Sequence, residues 1–405
     1  MNILVVSYYF PPFEGVASRR WAKYSKYLNR LNHNVNILCN EFNGTSPWDE
    51  DIKSFEDKVT RVKTSSIKKK RFEKSLPVGF LDKVLWKLSY LWDRVFGKKR
   101  NLDPSHNCIP AFYEAAIEII EKNEIEIVIV SGGPYEYLDL IPALKKNTSC
   151  KLVLDLRDPW PYEHNSDKMT KEEQKDQKDL EERVIHSIDA VVSVYETIIG
   201  NYKNKKGAVI SHALDFEDFQ FSQKKIENQD IIKLVFGGHP YSDSQYFEQL
   251  NVFMASLKKI NKAEANCYIP ESLVSKIDFE SNNLSFYPYK KTVKEFLREQ
   301  NSADAVLYIV REEHEQDGNF TTKFLELIMT RKPILYFGPK TKVSDFIKSN
   351  ELGFVVEKDN ISETINAFLS NMESNKIPKY FDLTVHSFEK EVLKLEEILI
   401  DIHAA

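Results

Sequence analysis

The chain has few cysteines and no hydrophobic segment long enough to span a bilayer. Its four cysteines, among 405 residues, are widely spaced and never form a CxxC pair, which excludes a disulfide framework and a zinc ribbon. The first residues form a short apolar run with no basic segment before it, so no signal peptide is expected. These absences favour a cytoplasmic protein in a reducing environment.

An excess of charge of one sign is also absent. The net charge is only −5, with 42% hydrophobic and 29% charged residues, which is ordinary for a globular protein with real cores. This balance excludes a protein whose whole surface binds polyanions, and no nucleic-acid partner is expected. No internal repeat or low-complexity tract is present, and the length predicts roughly two or three domains.

The first half alternates short β-branched segments with helical segments, which is typical of a doubly wound α/β sheet. A strand at Ile3–Val6, a loop with two prolines, a helix at 17–31 and a strand at 35–38 begin the pattern. The pattern then predicts a helix at 110–122 and another at 137–145, and further strands at 125–130, 151–156, 189–194 and 209–212. We place the first domain at residues 1–213.

A polar, acidic segment without periodicity, residues 214–230, separates this half from a second α/β pattern. We interpret it as a linker and place the second domain at 231–383. The terminal helix, within 384–405, is expected to return toward the first domain. The sequence therefore predicts two Rossmann-like domains facing a cleft.

The most informative stretch runs from Gly318 to Pro339. A short polar loop, 318–322, leads into a helix on which Lys323 and Glu326 share one face. A loop that feeds a helix N-terminus presents backbone N–H groups to phosphates, and a lysine one turn in adds charge. The alternative is a packed α/β unit with an exposed Lys–Glu pair.

Two loops of the first half are further candidates, because ligands of α/β sheets bind at the carboxyl ends of strands. Arg157 and Asp158 directly follow the buried strand 151–156. Their alternative role is a local ion pair that holds the loop. Gly15 would let the backbone approach a ligand, although a plain turn explains a single glycine equally well.

Residues 61–100 carry thirteen Lys and Arg against three Asp and Glu, around a helical stripe of apolar and aromatic residues. A basic amphipathic helix of this kind is typical of contact with an anionic membrane surface. The alternative is that the stripe packs on the domain and the lysines face water. No recognition motif supports binding of nucleic acid.

Several motifs resemble those of a GT-B glycosyltransferase of the family-4 type, and the resemblance covers nearly the whole chain. The most specific match pairs 131–134 (SGGP) with 155–160 (DLRDPW), which resemble the SGPP and DFRDPW motifs of one branch. Weaker matches are the aromatic-Pro-Pro loop at 8–15 with Arg19, Arg20 and the strand at 34–37, the DxxxF signature at 215–219, and the donor-domain signature at 304–307, 323–326 and 332–334.

The resemblance implies metal-independent, retaining transfer of a hexose from a nucleotide-diphosphate sugar, UDP-linked by family frequency, with no cofactor. Glu326 would bind ribose hydroxyls and Lys323 the diphosphate. Further donor contacts would come from Gly15, Gly237, Gly238, His239, Gly318, Asn319, Phe320, Thr321 and Thr322. The acceptor, a lipid-linked or surface glycan, would contact Tyr135, Arg157, Asp158 and Trp160. Arg157, Asp158, Lys323 and Glu326 would form the catalytic set, at the inner face of the membrane.

The chain departs from the family pattern at three places. The first glutamate of the family pair falls at Gly318, so that contact is missing or comes from Glu312, Glu313 or Glu315. The family histidine falls at Tyr135. The usual Arg and Lys after the first strand of the second domain are absent, with His239 nearest.

These departures keep two alternatives open. One is a nucleotide-sugar epimerase of the same fold, and the other is a non-catalytic module that binds a nucleotide sugar.

Overall fold

The structure is a computed structural model in which the chain forms two units. Unit 1 comprises Met1–Ser211 with Phe388–Ala405, and unit 2 comprises His212–Ser387. The structure describes residues 1–63, 105, 108–164, 169–218, 231–237, 251–257, 262–269, 284–288, 293–310, 320–356, 361–373 and 382–405.

The described part of unit 1 contains a seven-stranded parallel sheet in the order β3-β2-β1-β4-β5-β6-β7. The chain starts in the middle and builds outward in both directions, so the order reverses between β1 and β4. Its strands are β1 (Asn2–Ser7), β2 (Asn34–Asn40), β3 (Val59–Val62), β4 (Ile127–Ser131), β5 (Lys151–Leu156), β6 (Ala190–Ser193) and β7 (Lys206–Val209).

Helices cover this sheet, and the last of them is the C-terminal helix, as the sequence predicted. It packs against α1, where Phe388 stacks on Tyr27 with ring centroids 5.8 Å apart. The helices are α1 (Val16–Arg30), α2 (Asp49–Ile52), α3 (Ile109–Asn123), α4 (Leu140–Asn147), α5 (Pro161–His164), α6 (Lys171–Ser187) and α7 (Glu196–Gly200), with α12 (Phe388–His403) at the end of the chain.

Unit 2 repeats this plan with a six-stranded parallel sheet among its described residues, in the order β10-β9-β8-β11-β12-β13. The order reverses between β8 and β11. The strands are β8 (Ile232–Gly237), β9 (Ala263–Ile269), β10 (Leu284–Pro288), β11 (Ala305–Ile309), β12 (Ile334–Phe337) and β13 (Gly353–Val356). Residues 251–257 are helical, and the other helices are α8 (Val293–Ser302), α9 (Thr322–Met329), α10 (Lys342–Ser349) and α11 (Ile361–Glu373).

The central strands of both sheets are buried on both faces, which explains their continuous apolar sequences. The prediction of two doubly wound domains is therefore confirmed. One strand prediction was wrong: the edge strand β7 ends at Val209, three residues before the predicted end at 212. Ile210 lies just beyond the strand and is apolar and buried, so its residue type alone is consistent with a strand position.

Among the described helices, none is both long enough and apolar enough to cross a membrane.

Candidate active site

A lysine lies at the carboxyl edge of the unit 2 sheet, at the point between β8 and β11 where the strand order reverses. Lys323 lies at the start of α9, and its Nζ sits 5.3 Å from the ring centroid of Phe236 and 5.6 Å from that of Tyr308. Phe236 belongs to β8 and Tyr308 to β11, the two strands between which the strand order reverses. Open α/β sheets bind ligands at this position, so the cation stands where a ligand is expected.

The N-terminus of α9 is fixed by its own cap and by a ring cluster. The Thr321 hydroxyl accepts a hydrogen bond from the Phe324 backbone N–H at 3.2 Å, which caps the helix. The ring of Phe320 packs against those of Phe324, Phe346 and His386. These contacts hold Phe320 and Thr321 at the start of α9, and a helix N-terminus is a place where backbone N–H groups can bind an anion.

Burial lowers the pKa of Lys323 to about 8, and the nearby charge of Glu326 acts in the opposite direction. Lys323 is half-buried, and its ammonium lies against two aromatic rings. The half-buried Glu326 lies one turn further along α9. A desolvated cation with one carboxylate neighbour at a ligand-binding edge is typical of a functional site.

Several predicted donor residues receive no structural description. Gly238, His239, Gly318 and Asn319 lie outside the described residues, as do Glu312, Glu313 and Glu315. Thr322 is the first residue of α9. Gly237 ends β8, and a Cβ there would lie 1.8 Å from the Phe296 ring, so packing alone requires a glycine. The donor contacts of these residues stay predictions.

The carboxyl edge of the unit 1 sheet carries the other candidate loops. Gly15 caps the N-terminus of α1, and a Cβ there would lie 2.2 Å from the ring of Phe13. Packing therefore explains this glycine as well, and its contact with a donor stays a prediction.

The Arg157 side chain turns back onto the neighbouring loop. It donates to the backbone oxygen of Gly132 from Nε at 3.2 Å and from Nη2 at 2.9 Å, and Nη2 also bonds the oxygen of Gly133. Gly133 has φ = +76°, a conformation that favours glycine. Asp158, the next residue, is exposed. The structure thus gives Arg157 a loop-holding contact and presents Asp158 to solvent.

Tyr135 and Trp160, the other predicted acceptor contacts, are buried. Tyr135 is 8% exposed and Trp160 is fully buried, with their ring centroids 5.2 Å apart. The single O–H of Tyr135 is shared between the backbone oxygens of Asp158 and Pro159, at O···O distances of 2.9 and 2.8 Å. These positions favour a supporting role, and direct contact with an acceptor stays a prediction.

Sequence reasoning missed the buried carboxylate of Asp155. It accepts hydrogen bonds from Arg20 Nη2 at 2.9 Å, Trp21 Nε1 at 2.8 Å and the Ser131 hydroxyl at 2.9 Å. Burial disfavours the charge of Arg20, but Asp155, together with Tyr24 and Glu391, outweighs this and raises the pKa of the guanidinium. The network joins α1 to the ends of β4 and β5. A carboxylate within a buried strand is the signal that could have revealed it.

Comparison with known proteins shows the fold. No protein-family model and no curated protein sequence matches the chain. The chain is similar to sucrose-phosphate synthase from Thermosynechococcus elongatus, at 10% identity over 100% of this chain and 99% of that chain, with a TM-score of 0.61. It is also similar to WaaG, a glycosyltransferase involved in lipopolysaccharide biosynthesis, at 14% identity over 96% of this chain and 98% of that chain, with a TM-score of 0.54.

A putative UDP-N-acetylglucosamine 2-epimerase from Listeria monocytogenes is similar as well, at 9% identity over 98% of this chain and 94% of that chain, with a TM-score of 0.53. Together with the two Rossmann-like sheets, these similarities establish the GT-B fold. Because transferases and an epimerase share this fold, the reaction has to be argued from the site.

Proposed function

We propose that the protein is a retaining glycosyltransferase of the family-4 type that moves a hexose from a nucleotide-diphosphate sugar to a glycan or lipid-linked acceptor. The observation that carries the proposal is the desolvated Lys323 at the start of α9, at the reversal point of the unit 2 sheet. UDP is the proposed nucleotide, on the resemblance alone.

The chemistry follows from where charge develops. Cleavage of the bond between sugar and phosphate leaves negative charge on the diphosphate. The Lys323 ammonium and the positive end of α9 would stabilise that charge. We therefore propose that transfer needs neither metal nor cofactor. Glu326 would accept hydrogen bonds from ribose hydroxyls.

On the other unit, exposed Asp158 would contact the acceptor hydroxyl. The resemblance implies retention without a side-chain nucleophile, so that positioning of the two substrates supplies most of the rate enhancement.

An epimerase is the second candidate, because the Listeria monocytogenes protein described as a putative UDP-N-acetylglucosamine 2-epimerase shares the fold. The two reactions differ in their products. A transferase releases nucleoside diphosphate only when an acceptor is present, whereas an epimerase converts the nucleotide sugar without one.

Glu326→Ala should weaken nucleotide binding by at least roughly 10-fold, because each hydrogen bond that the charged carboxylate accepts from the ribose contributes about 1.5–3 kcal/mol. Titration calorimetry of the full-length protein with UDP measures the change. Glu351→Ala, on the loop between α10 and β13, is the matched control and should bind like the wild type. Unchanged affinity in Glu326→Ala would refute the ribose assignment.

Contact with the inner face of the membrane is proposed from sequence alone, because residues 64–100 lie outside the described residues. Replacing the basic residues at 68–71 with glutamine should reduce cosedimentation with anionic liposomes at low salt, since each removed charge weakens attraction by about 1 kcal/mol. Neutral liposomes are the control. Equal cosedimentation of the variant and wild type on anionic liposomes would exclude this contact.

A further inference from the structure

The two loops that follow β4 and β5 hold each other through side chains that bond the opposite backbone. Arg157, from the β5 loop, donates to the carbonyl oxygens of Gly132 and Gly133 in the β4 loop. Tyr135, from the β4 loop, donates to the carbonyl oxygens of Asp158 and Pro159 in the β5 loop. The contacts are reciprocal, so neither loop can shift without breaking bonds made by both side chains.

The C-terminal end of the β5 loop is also held in place, by a buried ring and by hydrogen bonds. Trp160 is fully buried and packs on the ring of Tyr135. Just beyond it, the carboxylate of Glu181 on α6 accepts hydrogen bonds from the hydroxyls of Tyr162 and Tyr202, the latter at 2.6 Å. Burial, followed by the contact with Glu181, raises the pKa of both tyrosines, so both hydroxyls stay protonated as donors.

Asp158 is the exception within this anchored loop. Its backbone oxygen is tied to Tyr135, while its side chain is exposed at the carboxyl edge of the sheet. A hydrogen bond to the backbone of a residue fixes the direction of its Cα–Cβ bond without occupying its carboxylate. Such an arrangement fits a group that must meet a ligand in one orientation.

We propose that Tyr135 and Arg157 are positioning residues, a reciprocal loop clamp that holds the Asp158 carboxylate in the orientation that the acceptor hydroxyl requires. The proposal rests on the proposed function for the identity of the ligand, and it changes the predicted roles of both residues from direct contact to support. Tyr135 then acts through its hydroxyl, and its ring serves only to pack on Trp160.

The test uses Tyr135→Phe in the full-length protein, which removes the hydroxyl and keeps the ring. Amide exchange of Arg157, Asp158 and Trp160, measured without substrate, should accelerate at least about 5-fold, which is the loss of one hydrogen bond. Tyr113→Phe, a half-buried tyrosine on α3 that packs on the same core, is the control and should leave exchange in this loop unchanged.

Kinetics separate positioning from a general loss of structure. With a working acceptor, Tyr135→Phe should lower kcat/KM for the acceptor about 5- to 10-fold and leave KM for the donor unchanged. In an Asp158→Asn background, the same substitution should change the rate less than about 2-fold, because the carboxylate that it positions is already gone.

Unchanged loop exchange in Tyr135→Phe would overturn the clamp. Fully additive losses in the double variant would also overturn it, because Tyr135 would then act independently of Asp158. If loop exchange accelerates as expected but the wild-type protein transfers no sugar, the clamp stands and the proposed function fails.

Discussion

A Lys323→Met variant should bind a nucleoside diphosphate on the order of 10- to 100-fold more weakly than the wild type, since a charge-assisted hydrogen bond contributes about 1.5–3 kcal/mol. Methionine keeps much of the side-chain length and its contact with Phe236 and Tyr308, so the variant removes mainly the charge. Titration calorimetry of the full-length protein with UDP at pH 7 provides the measurement.

Lys233→Met is the matched control. Lys233 lies near the start of β8, at the amino end of the sheet, and makes a loose surface pair with Glu264 at 3.9 Å. Its loss should leave affinity unchanged. Equal weakening in both variants would mean that net charge, rather than the position of Lys323, determines binding.

The pH dependence of binding identifies the responsible group. With a pKa of about 8, Lys323 is mostly charged at pH 7 and mostly neutral at pH 9. Because the diphosphate attracts only the charged form, affinity should fall roughly 10-fold between these values in the wild type. Lys323→Met should bind with little pH dependence over the same interval. A wild-type affinity that is flat from pH 7 to 9 would contradict the assignment.

Asp155→Ala should destabilise the protein by about 3–5 kcal/mol, because it leaves the buried guanidinium of Arg20 without its counter-charge. Trp21 and Ser131 lose their acceptor at the same time. Urea unfolding followed by fluorescence and circular dichroism measures the loss, with agreement of the two probes as the check for a single transition.

Unit 1 offers a matched surface pair for comparison. Arg183 and Asp139 are joined at 3.0 Å, close to the 2.9 Å between Arg20 and Asp155, but both are about half exposed. Asp139→Ala should therefore lower the free energy of unfolding by less than about 1 kcal/mol. The double variant Arg20→Met with Asp155→Leu should be more stable than Asp155→Ala alone. Similar losses for Asp139→Ala and Asp155→Ala would show that burial does not govern the strength of this pair.

The sequence predicted those elements of the fold whose residues are buried on both faces. β5 has three successive apolar residues at 152–154, and its predicted bounds, 151–156, match the structure. The short elements β3 and α2 were missed because four residues carry too little periodicity, and α10 was missed although it begins with a capping box at Thr341.

The candidate site was predictable where it depends on local spacing. The spacing of three positions from Lys323 to Glu326 is enough to place both on one helical face. The desolvation of Lys323 could not be predicted, because Phe236 comes from a distant strand. The resemblance placed Tyr135 at the position of a family histidine. The hydrogen bond from its hydroxyl to the backbone of Asp158 and Pro159 could not be predicted, because those residues follow a different strand.

Binding of nucleoside diphosphates to the full-length protein is the most direct test of a donor site at α9. Titration calorimetry with UDP, GDP, dTDP and CDP should give one ligand that binds, with affinity that falls sharply when Lys323→Met and Glu326→Ala are combined. Failure of all four to bind, or equal affinity in the combined variant, would contradict the donor site and with it the proposed glycosyl transfer.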